Sequence, residues 1–123
     1  MIIPHARYVR VENKGKGRTL AAQARLADRF LSRMIGLLGR GSLPEGDGLV
    51  IAPGSSIHTF FMRFPIDVVF VSREGVVLKT AENVKPWRLA FSPRGTRYTI
   101  ELPVGAIGAS QTERSDRLEF SAA

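Results

Sequence analysis

SSIHTFFMRFPIDVVFVS, residues 55–72, carries His58, Arg63, Asp67 and four of the seven phenylalanines: Phe60, Phe61, Phe64 and Phe70. Apolar and polar residues alternate loosely from His58 to Phe64. Ile66–Val71 is an almost unbroken β-branched and aromatic run, the pattern of a strand buried on both faces. Pro65 cannot donate to a ladder, so the chain is expected to turn there. Two strands around a proline corner would set Arg63 opposite Asp67 as an ion pair. They would turn His58 toward Val71–Ser72.

Beyond this stretch, Ser72–Gly75 reads as a hairpin turn and Val76–Ala81 as the returning strand. Glu82–Arg94 is irregular, with Pro86, Pro93 and the single tryptophan, Trp87. Arg97–Leu102 alternates as a strand. Pro103–Arg114 suggests one helical turn, and Arg117–Phe120 a closing strand. Before the stretch, Gly48–Ala52 is a short apolar strand. Tyr8–Glu12 is another, followed by a glycine-rich turn over Asn13–Gly17. Leu20, Ala24, Ala27 and Leu31 fit a helical stripe, but Ala22, Ala24 and Leu26 alternate with polar residues. The expectation is a strand from about Thr19, then a short helix over Arg29–Ile35. Asp28 would cap that helix and Gly36 would end it. The fold class is therefore mainly β: a small single-domain β-sandwich or partly closed barrel with one short helix near residues 29–35. Residues 1–123 make one domain, and 1–18 add an N-terminal strand and turn.

The chain has 123 residues, 44% of them hydrophobic and 24% charged, an ordinary globular balance. No apolar run is long enough for a membrane span. No such run follows the first basic residues, so no secretory signal is expected. The absence of cysteine excludes disulfides, thiolate nucleophiles and zinc–thiolate sites. A cytoplasmic protein fits all of this. The net charge of +7 is uneven: residues 1–40 hold nine basic and two acidic residues, and residues 41–123 hold nine of each. Such a basic segment can attract polyanions. Nucleic-acid binding there would be weak and non-specific, because only Tyr8 and Phe30 offer stacking faces. The plainer reading is a solvated, solubilising surface.

His58 has the residue type of a general base, since imidazole titrates near neutral pH. Asp67 is the nearest acid in sequence. These two are the only catalytic candidates, and the alternative to a binding role is a hydrolase-like enzyme using His58 as general base. Pro53-Gly54-Ser55-Ser56 lacks the glycines of a nucleophile elbow, so turn capping is the simpler role for its serines. His58 with His5, Asp67 or Glu82 forms no metal-ligand spacing, and neither metal nor cofactor is expected. Trp87, between Lys85 and Arg88, could offer a stacking face beside cations. The favoured function is a non-catalytic binding module for a small anionic ligand or a macromolecular segment. Its site would be lined by Ser56, His58, Arg63, Lys85, Trp87 and Arg88.

The blocks RMIGLLGR (33–40), GLVIAP (48–53), IHTFFMRFPIDVVFVSREGVV (57–77), NVKPWR (83–88) and YTIELPVG (98–105) together resemble domain-of-unknown-function family 192. The likeness spans about residues 20–120. It implies a small, mostly β domain and no known activity. Many relatives read tryptophan-methionine-lysine-asparagine where this chain has Phe61-Met62-Arg63-Phe64. Many also have glycine-aspartate in place of Ser115-Asp116.

Overall fold

The structure, a computed structural model, describes residues 3–4, 6–27 and 41–123. The apolar run after Pro65 forms β5, Ile66–Ser72, with all seven residues buried. Its side chains alternate between two apolar layers. Val69 and Val71 enter the main core with Val9, Val11, Ala24, Ile100 and Leu102. Ile66, Val68 and Phe70 face the other way, against Leu43, Met62 and Ala90. A strand covered on both sides needs no polar positions, which is why this run has almost none.

The other strands are β1 Tyr8–Asn13, β2 Arg18–Ala27, β3 Asp47–Ile51, β4 Ile57–His58, β6 Val77–Val84, β7 Leu89–Ala90, β8 Thr96–Pro103 and β9 Leu118–Ala122. Among the described residues one short helix, α1, covers Ala106–Ser110. The expected helix over Arg29–Ile35 lies outside the described residues. A seven-stranded sheet has the order β6-β5-β8-β3-β2-β1-β9, and β4 pairs with β7 in a separate two-stranded sheet. Neighbours in the large sheet are antiparallel except β2 and β3.

The large sheet curls into a half-barrel. Its edge strands meet at one end, where Val76 bridges Arg117 and Leu118 N–H donates to the Gly75 carbonyl at 2.8 Å. Val77 N–H reaches the Asp116 carbonyl at 2.8 Å, and Ser115 N–H returns to Val77. The mainly β, partly closed architecture read from the sequence is the one observed.

The proline corner is different from the expectation. Phe60–Phe64 is not a strand; the chain turns at Thr59–Met62, closed by Met62 N–H on the Thr59 carbonyl at 3.2 Å. β5 pairs with β6 and β8 rather than with the residues before Pro65. His58 therefore does not face Val71–Ser72 but lies opposite Leu89. Arg63 is exposed and Asp67 is buried, with no ion pair between them.

Candidate functional site

Thr59 joins the β4 segment to the β7 segment. It is fully buried. Its N–H donates to the Arg88 carbonyl at 2.9 Å, and its carbonyl accepts the Trp87 N–H at 3.0 Å. Its hydroxyl donates to the Lys85 carbonyl at 2.6 Å and accepts the Arg88 N–H at 3.0 Å. Ser56 fastens the same two segments further along, where its hydroxyl accepts the Ser92 N–H at 2.7 Å.

This clamp carries a run of aromatic rings. The His58 and Phe60 centroids are 4.9 Å apart. Phe60 stacks with Trp87 at 5.7 Å, and Phe61 tilts against Trp87 at 4.7 Å. Phe61 and Trp87 are 70% and 55% exposed. Both have left-handed backbones, with φ of 69° and 65°. A bulky residue there is a backbone outlier, and such outliers gather at functional positions. Arg63, Lys85 and Arg88, which neighbour the ring residues along the chain, are exposed, and Arg88 Nη1 donates to the Trp87 carbonyl at 3.3 Å. Ser56, His58, Lys85, Trp87 and Arg88 thus share one paired segment. Arg63 lies two residues beyond Phe61.

Asp67 is elsewhere in function. Its Oδ1 accepts the Asn83 N–H at 2.9 Å, and its Oδ2 accepts the N–H groups of Gly105 and Ile107 at 3.1 and 3.0 Å. It pins the left-handed Asn83 and the start of α1 to β5. It does not orient His58, whose Nδ1 accepts the Phe60 N–H at 3.3 Å. Among the described residues no group of three metal-ligating side chains converges.

Three of the N-terminal cations are engaged in ion pairs. Arg10 pairs with Glu12, and Lys14 with Glu12 and Glu119. Lys16 lies 3.2 Å from Glu113 and 3.0 Å from Asp116. Arg29, Arg33 and Arg40, along with His5, lie outside the described residues.

The family model of domain-of-unknown-function family 192, described as Uncharacterized ACR, matches residues 9–120. A UPF0127 protein of Pyrococcus furiosus is 34% identical over 114 residues, covering 89% of this chain and 96% of the relative. The chain belongs to domain-of-unknown-function family 192. Another relative of this family 192 chain, a UPF0127 protein of Thermococcus sibiricus, is 35% identical over 114 residues, covering 88% and 72%. The fold recurs in two crystal structures. One, from Sinorhizobium meliloti and provisionally described as a transcription regulator, has a TM-score of 0.78 at 22% identity, covering 98% of this chain and 97% of that one. The other, from Novosphingobium aromaticivorans and of unknown function, has a TM-score of 0.76 at 20% identity, covering 91% and 83%.

The site expected from the sequence of this family 192 chain did not include Thr59, Phe60, Phe61, Leu89 or Phe91. A finer charge count points to them. Residues 53–66 and 83–100 contain five lysines and arginines (Arg63, Lys85, Arg88, Arg94 and Arg97) and no acidic residue. Averaging over residues 41–123 cancels that local excess. Ser115 has φ of 78°, which glycine adopts without strain.

Proposed function

We propose that the protein is a non-catalytic binding module whose β4–β7 face takes an anionic ligand, either a small molecule or a segment of a larger partner. The observation that supports this most directly is the exposed ring run from His58 to Phe61. It is clamped from behind by Thr59 and flanked by Lys85, Arg88 and Arg63. Rigid rings cost little conformational entropy on binding, and neighbouring cations supply charge-assisted hydrogen bonds to an anion. The non-catalytic reading is supported by Asp67, whose carboxylate is committed to three backbone donors and gives His58 no acid partner.

Trp87 is the only tryptophan, so its emission reports on this face alone. Titration with inorganic pyrophosphate, oligothymidylate and polyglutamate is expected to change that emission for at least one probe. His58→Ala and Lys85→Ala should weaken the response while leaving the melting temperature nearly unchanged, since both side chains are exposed. Silence with every probe, together with a loss of stability in His58→Ala, would identify the rings as packing alone.

A further inference from the structure

We propose that the β4–β7 face docks on the surface of an anionic lipid bilayer; this rests on the binding role above and names the partner. The first support is a continuous apolar ridge. His58 and Leu89 are register partners, and side chains directly opposite in an antiparallel pair share a face. Phe91 directly follows β7, and like Leu89 it is exposed on the other side of the buried Ala90. The ridge therefore runs from Phe91 and Leu89 through His58 to Phe60, Trp87 and Phe61. Leu89 and Phe91 are 54% and 63% exposed, comparable to Trp87 and Phe61. An exposed run of large apolar side chains marks contact with protein or membrane. Tryptophan beside phenylalanine and leucine, rimmed by cations, is the composition that settles at the headgroup boundary.

The second support is charge. Arg63, Lys85, Arg88 and Arg94 are exposed and form no ion pair among the described residues. No acidic residue occurs in 53–66 or 83–100. Each cation near an anionic leaflet strengthens binding several-fold.

Other occupants fit less well. A second copy would bring like charges face to face. Single-stranded nucleic acid needs free ring faces, and Trp87 already has Phe60 stacked on it and Phe61 tilted against it. A peptide needs a groove or a strand edge, and the edges of the β4–β7 pair are only two residues long while Phe60 and Phe61 sit on the Thr59–Met62 turn.

The test mixes the intact chain with vesicles of phosphatidylcholine, with and without phosphatidylglycerol, carrying brominated acyl chains. Trp87 emission should shift to the blue and be quenched only with the anionic vesicles. The double variant Lys85→Glu, Arg88→Glu should weaken association about tenfold or more. Phe61→Ser with Phe91→Ser should abolish quenching without lowering the melting temperature. No association, or association without quenching of Trp87, overturns the proposal. A Trp87 response to pyrophosphate, oligothymidylate or polyglutamate but not to vesicles leaves the binding role standing and removes the bilayer as partner. Silence with all of them removes both.

Discussion

Thr59 stands between a histidine and a phenylalanine, and nothing in its neighbours gives it prominence. In the fold it replaces a strand ladder, because two backbone bonds and its hydroxyl hold a segment 26–29 residues away. Such a role depends on long-range pairing and leaves no local pattern to read. Asp67 has the same character: its partners at 83, 105 and 107 come from other elements. An acid four residues from Arg63 invited a corner ion pair, but three backbone donors solvate a buried carboxylate without a second buried charge. Gly54 is a further residue whose role comes from distant chain. A Cβ placed there would lie 2.7 Å from the Thr99 nitrogen and the Tyr98 carbonyl carbon. Gly54 N–H also donates to the Arg97 carbonyl at 2.7 Å. Gly54→Ala is expected to push the segment off β8 and cost about 1–3 kcal/mol, read by urea denaturation. An unchanged midpoint would mean that the Pro53–Ser55 stretch yields freely.

Among the elements, β5 was the most legible, because burial on both faces writes itself as an unbroken apolar run. β2 was legible in kind but not in phase. The alternation of Ala22, Ala24 and Leu26 implied one buried face, yet Ala22 is exposed and Leu20, Ala21, Ala24 and Ala27 are buried. Register shifts in the β1–β2 pair between Val9 and Glu12 break the strict period of two. β4 and β7 are two residues each, too short for any periodicity to show. The glycine-rich turn before β2 is fixed from outside. Asp116 Oδ2 accepts from Asn13 Nδ2 at 2.9 Å, Lys16 Nζ at 3.0 Å and the Glu113 N–H at 3.0 Å. Burial pushes the Asp116 carboxyl up, but the bonds from Asn13 and Lys16 and from the Glu113 N–H outweigh it and leave it below its ordinary value. Its stabilisation is therefore present above the ordinary carboxylate range and lost as pH falls through the lowered value. Asp116→Ala should cost about 1–3 kcal/mol near neutral pH, because it strips a partner from the fully buried Asn13. The deficit relative to the parent should shrink in acid. A deficit independent of pH would show that the carboxylate's charge is not involved.

At the scale of the whole molecule, the sheet keeps one ionisable side chain inside its second apolar layer. Glu101 is 7% exposed, opposite Leu49 and Val68 in the register. Burial pushes its carboxyl up to about 7. Below the ordinary value both folded and unfolded chains hold the proton, and the group adds no pH dependence. As pH rises toward 7 the unfolded chain ionises first, so stability falls through that window and levels above it. The loss is roughly 3 kcal/mol. Glu101→Gln should flatten the denaturation midpoint between mildly acidic and neutral pH, and a slope that persists would point to other groups. The half-barrel also has a mechanical consequence. β1 and β9 are antiparallel neighbours, with Val9 opposite Ala122 and the Ala123 N–H on the Tyr8 carbonyl at 3.2 Å. A force that draws these two residues apart acts along the rungs between the strands, not across them. It would peel β9 from β1 one rung at a time toward Asn13 and Leu118. The seam at Gly75–Val77 and the Asn13–Asp116 bond sit at the far end of that peel, where they would meet the load last.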